Sequence, residues 1–137
     1  MVIDGHKIIN YLYFGRARLA EAVLRLLSLR SVKIYLIFLF ALNIANWLLA
    51  FFVNKSVSQK LVVLHYNVNL GVNLIGDVSS VYIMPTLGLV FIIVNFLLLL
   101  NLYSKNNFLN HLLLGASLLI NLFLIAGVFA VYLINFR

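Results

Sequence analysis

Three long apolar stretches without an internal charge limit what this chain can fold into. They cover about residues 33–53, 81–103 and 108–136. The hydrocarbon core of a bilayer is about 30 Å thick, and a helix needs roughly 20 apolar residues to cross it. None of the three stretches alternates apolar and polar residues with the period of two that marks a barrel strand. The sequence therefore predicts three transmembrane helices.

The composition argues against a water-soluble protein. The chain has 137 residues, of which 65% are hydrophobic and 9% are charged, whereas soluble domains are about 45–50% apolar and about 25% charged. A chain of this size has too little interior to hide so much apolar surface, and disordered chains are poor in hydrophobic residues. We therefore expect an all-α membrane protein in which residues 1–137 form a single integral membrane domain.

The basic residues predict the orientation, because lysine and arginine concentrate on the cytoplasmic side of membrane proteins. With the N-terminus inside, seven basic residues lie in the cytoplasm: Lys7, Arg16, Arg18, Arg25, Arg30, Lys33 and Lys105. Three then lie outside: Lys55, Lys60 and Arg137. A cleaved signal peptide is the alternative for the first span, but its apolar run is longer than the 7–15 residues typical of such signals. We expect a bacterial inner (cytoplasmic) membrane, a cytoplasmic N-terminus and an external C-terminus.

Residues 1–32 precede the first span and predict an amphipathic helix at the membrane surface. Residues 16–31 are rich in helix-forming residues and contain no glycine or proline, so we expect the helix to begin after a break at Gly15. Such a helix lies in the headgroup plane with its basic side toward anionic lipid. The helix either fixes the orientation of the chain in the membrane or binds a partner protein. Nucleic-acid binding is not favoured, because the basic residues form a single stripe beside a span. The predicted membrane-surface residues are Arg16, Arg18, Arg25, Arg30 and Lys33.

The connection over residues 54–80 predicts a small β-hairpin-like loop on the outer side. Leu64, Tyr66 and Val68 alternate with polar residues, and Gly71 separates this run from a second apolar run. Glycine between two short β-rich runs is typical of a hairpin. An open strand edge is not tolerated at membrane depth, so the hairpin must lie at the interface.

Within this connection the chain resembles a known family. The run Leu64-His65-Tyr66-Asn67, then Gly71 and a span with Pro85, resembles a small domain of unknown function in bacterial membrane proteins. That domain often precedes the helices of Sdp-type immunity and signalling proteins. The resemblance covers about residues 34–100 and implies a membrane module characterised by its outer loop, with His65, Tyr66, Asn67 and Gly71 as loop residues. No function is carried over, because this chain has only one span beyond that module.

Asparagines within the spans are the other unusual feature. Asn43 and Asn46 lie in the first span, Asn95 in the second and Asn121 in the third. Counted from the cytoplasmic ends, Asn43, Asn95 and Asn121 fall in one layer at a depth of about 12–15 Å. A buried amide is costly without a hydrogen bond, so each is expected to hold the helices together, contact another subunit or line a polar path. Small residues permit close approach of helices. Two alanines of the third span are therefore further candidates for a helix–helix interface: Ala126 and Ala130.

Little in the sequence predicts chemistry. The three acidic residues are Asp4, Glu21 and Asp77, and no two of them meet outside the N-terminal segment. Without cysteine, thiolate chemistry is excluded. We expect no catalytic residue, no metal site and no cofactor. The preferred function is a non-enzymatic accessory or structural subunit that binds another membrane protein or its own copies through its helices. An immunity- or sensor-like protein that uses the outer loop and an oligomeric channel or transporter subunit are the alternatives.

Overall fold

The structure, a computed structural model, describes residues 5–57, 60–69, 71–101 and 107–136, with the side chains of residues 5–14, 67 and 107 left aside. Four α-helices, one β-hairpin and one 3-10 helix make up most of these residues. In chain order the elements are α1 (Gly5–Ser28), α2 (Arg30–Ser56), β1 (Leu61–Asn67), β2 (Gly71–Asp77), a 3-10 helix (Val78–Tyr82), α3 (Ile83–Asn101) and α4 (Asn107–Asn135). The predicted turn over 104–107 between the second and third spans lies outside the described residues, apart from its last position.

The three predicted spans are confirmed as long apolar helices. Arg30–Ser56, Val78–Asn101 and Phe108–Asn135 are each long and apolar enough to cross a membrane. In the most apolar 18-residue segment of each helix, between 22% and 28% is buried inside the protein. Large side chains such as Ile37 and Phe123 point outward, with 68% and 75% of their surface exposed. Because water would oppose such exposure, these helices indicate a membrane location.

The break in the N-terminal segment lies at Leu29 and not at Gly15, so the predicted break is wrong. Helix α1 passes through Gly15 without interruption. A glycine inside a helix costs about 1 kcal/mol, which one position in a long helix can absorb. Leu29 is extended, with φ −72° and ψ 122°, and the Ser28 hydroxyl donates to the Arg25 carbonyl at 2.6 Å. This bond offers the last turn of α1 an alternative to helix continuation.

The end of α1 is part of the bundle. Leu26 is fully buried against the beginnings of α2 and α4 and the end of α3. Leu19, seven residues earlier and therefore on the same side of α1, is 55% exposed. Among residues 15–28, the part of α1 whose side chains the structure describes, the side chain buried against the spans is therefore Leu26, near the end of the helix. The predicted membrane-surface residues are all exposed: Arg16, Arg18, Arg25, Arg30 and Lys33.

Helices α2 and α4 run in the same direction and α3 runs against them. Helix α4 packs on both neighbours, whereas α2 and α3 contact each other less. Two apolar clusters fill the interior. The cluster at the α1 end contains Leu26, Val32, Leu39, Ile92, Leu99 and Leu114. The cluster at the hairpin end contains Ala50, Val53, Val81 and Val128.

The predicted hairpin is confirmed as a two-stranded antiparallel sheet. Leu61 pairs with Asp77 and Asn67 pairs with Gly71, with an irregular register around His65. Gly71 has a φ of +74°, a left-handed conformation that glycine adopts without a steric cost. The hairpin lies at the opposite end of the bundle from α1, beside the 3-10 helix and the end of α4.

Candidate functional site

Two asparagine side chains join the three spans near the middle of the bundle. Asn43 is 4% exposed, and its Nδ2 donates to the Pro85 carbonyl at 2.9 Å and to Asn121 Oδ1 at 3.3 Å. Asn121 is fully buried, and its Nδ2 donates to the carbonyls of Ser117 at 3.0 Å and Gly88 at 3.4 Å. We call this set, Asn43, Asn121, Pro85 and Gly88, the amide layer. It links α2, α3 and α4 through hydrogen bonds that have no competing water at membrane depth.

Gly88 makes the amide layer possible. A Cβ atom at this position would lie 2.5 Å from Asn121 Oδ1 and 2.8 Å from Asn43 Nδ2. Both distances are far shorter than a van der Waals contact, so the amides occupy the space that any other residue would need. This role of Gly88 was not predicted from the sequence. The available signal was a glycine inside an apolar span, where small residues let helices approach closely.

Asn95 does not share this layer, in contrast to the prediction. Its Nδ2 donates to Ser117 Oγ at 2.7 Å and to the Leu113 carbonyl at 3.3 Å. Measured from the observed helix ends, Asn95 lies about 9 Å from the end of α3, whereas Asn43 and Asn121 lie about 20 Å from the starts of their helices. The predicted depths were counted from span ends that differ from the observed helix ends, and this is why Asn95 was predicted to lie level with Asn43 and Asn121. Asn95 instead joins α3 to α4 closer to the α1 end.

Asn46 is buried without a partner. It is fully inaccessible, and neither its Oδ1 nor its Nδ2 forms a hydrogen bond in the part of the chain that the structure describes. An unpaired buried polar group costs about 1–3 kcal/mol. Asn46 lies about one helical turn from Asn43, toward the hairpin end. We therefore expect Asn46 to lower the stability of the bundle.

Ala126 and Ala130 do not pack inside the bundle. Both are exposed on α4, together with neighbours such as Phe123 and Leu133. The close contacts of α4 with α2 and α3 use other residues, including Ser117 and Val128. The two alanines therefore form a free strip on the outer side of α4, defined as the α4 strip.

Asn135 attaches the hairpin to the bundle. Its Oδ1 accepts a hydrogen bond from the Val63 N–H at 2.9 Å, and its Nδ2 donates to the Val63 carbonyl at 2.9 Å. The same Nδ2 is 2.8 Å from the Val131 carbonyl of its own helix. One side-chain amide thus pairs with β1 as a neighbouring strand would. The role of Asn135 was not predicted from the sequence, because nothing along the chain relates position 135 to position 63.

We predict that Asn135→Leu loosens the hairpin while the three spans stay folded. A two-stranded hairpin alone is marginally stable in water, and the substitution removes both hydrogen bonds to Val63. We expect amide hydrogen exchange at Val63 to become roughly tenfold faster, which corresponds to about 1.4 kcal/mol. Exchange within α2 and α4 should not change. An unchanged rate at Val63 would contradict a clamping role for Asn135.

The predicted loop residues lie on this attached hairpin. His65 is exposed, and its Nδ1 lies 2.6 Å from Asn73 Oδ1 on the paired strand. Tyr66 is 50% exposed, Asn67 ends β1, and Gly71 opens β2. These positions form one end of the hairpin, of which His65 and Tyr66 are presented outward.

Among the basic residues, Arg25 forms an ion pair with Glu21, one helical turn earlier. Both side chains are more than half exposed. Within residues 5–57, 60–69, 71–101 and 107–136, no three side chains of histidine, cysteine, aspartate or glutamate come together to hold a metal ion. The polar groups of the described interior are amides, a serine hydroxyl and backbone carbonyls, and all the hydrogen bonds between helices described above are formed by these groups.

Comparison of the chain with protein-family models, curated proteins and solved structures found no match. The resemblance to the domain that precedes Sdp-type proteins therefore stays a prediction.

Proposed function

We propose that this chain is a non-enzymatic accessory or structural subunit of a bacterial inner membrane, with its N-terminus in the cytoplasm and its C-terminus outside. Its partner is another integral membrane protein or a second copy of the chain. The contact is made through the α4 strip, Ala126 and Ala130, and not through the asparagines. The amides of Asn43, Asn95 and Asn121 are engaged within the chain and therefore hold its own helices.

The observation that supports this proposal is the exposure of Ala126 and Ala130 on α4. The two alanines are four residues apart, so they lie above each other on the same side of the helix. Small residues at this spacing let a second helix approach closely in a membrane, where packing and not the hydrophobic effect drives association. Helices α2 and α3 occupy the other side of α4 and leave the strip free.

Ala126→Phe is expected to release the partner. The full-length tagged protein is extracted from its native membrane in a mild detergent or a polymer nanodisc, and co-purified proteins are identified and weighed by mass spectrometry. We expect one stoichiometric complex, and at least tenfold less partner with Ala126→Phe, because a phenyl ring prevents close helix approach. Ala116→Phe is the matched control, since Ala116 is also exposed on α4 but lies about 15 Å away along the axis. Recovery of the monomer alone, or equal loss with both variants, would contradict the proposal.

The hairpin supports a second candidate, an immunity- or sensor-like protein. His65 and Tyr66 are presented outward on a hairpin that Asn135 attaches to the bundle. In that case His65→Ala and Tyr66→Ala remove the partner or ligand, and Ala126→Phe has no effect. A pore receives less support, because apolar clusters lie on both sides of the amide layer in the described part of the chain.

A further inference from the structure

We propose that the α1 end of the bundle holds one anionic phospholipid of the adjacent leaflet. An acyl chain lies in an apolar groove between α2 and α3, and the phosphate lies between Arg18 and Arg25. This site is separate from the α4 strip and does not depend on the function proposed above. It also differs from a general attraction of basic residues to a membrane, because it uses two particular arginines and one groove.

The groove is a consequence of how the three spans pack. Helix α4 contacts both neighbours, while α2 and α3 contact each other less and leave a cavity of about 160 Å³ on their outer side. Its walls are entirely apolar. They are formed by Leu36, Phe40, Ile92, Ile93, Phe96 and Leu97. A hydrocarbon chain fills such a space without leaving a polar group unpaired.

A second cavity, which we call the cleft, has a volume of about 250 Å³ and lies between α1 and the end of α3. Arg18, Glu21, Ala22 and Arg25 of α1 line it together with Leu100 of α3. Two guanidinium groups and one carboxylate leave a single net positive charge, which matches the single negative charge of a phosphodiester. Glu21 is paired with Arg25, and Arg18 has no ion pair among the residues that the structure describes. Arg18 is therefore available for a phosphate, which arginine binds through two parallel hydrogen bonds.

The groove and the cleft are consecutive parts of one surface. Ile93 and Leu97 line the groove and Leu100 lines the cleft. Their spacing of four and three residues places them on the same side of α3, over a length of about 10 Å. Leu100 is in the last turn of α3, at the end of the candidate span, where we place the lipid headgroup. An occupant must therefore be apolar along the groove and anionic at headgroup depth, which describes an anionic phospholipid better than a partner helix.

The charge arm of the test compares two double variants of the full-length protein. Native mass spectrometry in detergent measures lipid retained after addition of phosphatidylglycerol or phosphatidylcholine. We expect one retained phosphatidylglycerol per chain, little phosphatidylcholine, and at least tenfold lower retention for Arg18→Gln with Arg25→Gln. Arg16→Gln with Arg30→Gln removes the same charge from exposed positions outside the cleft and should retain the lipid. Equal loss in the two double variants, or equal retention of both lipids, would overturn the site in favour of general surface charge.

The groove arm leaves the charge unchanged. Leu97→Trp fills the groove and is expected to reduce phosphatidylglycerol retention at least tenfold. Leu98→Trp is the matched control, because Leu98 is the adjacent residue, is also exposed and does not line the groove. Far-UV circular dichroism and size-exclusion profiles establish that each variant is folded. If Leu97→Trp retains the lipid, or if it instead removes a protein partner while lipid retention is unchanged, the proposal is wrong.

Discussion

Gly88→Ala is expected to lower the free energy of unfolding by about 2–5 kcal/mol. The new Cβ would lie 2.5 Å from Asn121 Oδ1 and 2.8 Å from Asn43 Nδ2. The two amides cannot retreat without breaking their hydrogen bonds to each other and to the carbonyls of Pro85 and Gly88. The substitution therefore combines overpacking with the loss of pairing for buried amides.

Gly115→Ala is the matched control for this substitution. Gly115 is also a helical glycine in a span, and a Cβ there would meet nothing within 4 Å. Alanine favours a helix over glycine by about 1 kcal/mol, so this variant should be neutral or more stable. Unfolding in mixed micelles is followed by circular dichroism and by the fluorescence of Trp47, which stacks on Tyr82 with ring centroids 5.8 Å apart. Equal stability of Gly88→Ala and the parent would show that the amide layer does not hold the bundle.

Asn43→Leu and Asn46→Leu are expected to change stability in opposite directions. Leucine has the same number and branching of side-chain heavy atoms as asparagine but no hydrogen-bonding group, and both substitutions add the same volume and apolar surface, so the difference between the two variants reports on hydrogen bonding. Asn43→Leu removes the donor to Pro85 and Asn121 and should cost about 1–3 kcal/mol. Asn46→Leu removes an amide that is buried without a partner and should raise the free energy of unfolding by about 1–3 kcal/mol.

The two asparagines control for each other. They lie three residues apart in α2 and both are buried, so a general gain from a more apolar span would stabilise both variants alike. The same unfolding assay in mixed micelles measures both. A loss of stability with Asn46→Leu would mean that a bound water or another polar group satisfies this amide in the membrane. A gain with Asn43→Leu would mean that the amide layer contributes nothing to stability.

The local features of this chain were predictable from the sequence. The three spans follow from the length of apolar helix that a bilayer requires, and the hairpin follows from glycine between two β-rich runs. Both depend on neighbouring residues only. The predicted break at Gly15 was wrong, since a glycine's cost of about 1 kcal/mol does not by itself end a helix. The interruption at Leu29 arises where α1 turns to pack Leu26 against the spans.

The partners of the polar side chains were decided only by the tertiary structure. The sequence indicated that Asn43, Asn95 and Asn121 lie in spans, but it placed all three in one layer. Their pairing depends on the rotation of each helix about its axis and on its vertical position, which residues far apart in the chain determine together. The same reason hid the roles of Gly88 and Asn135. Apolar length is a property of a segment, whereas a hydrogen bond between helices is a property of how segments meet.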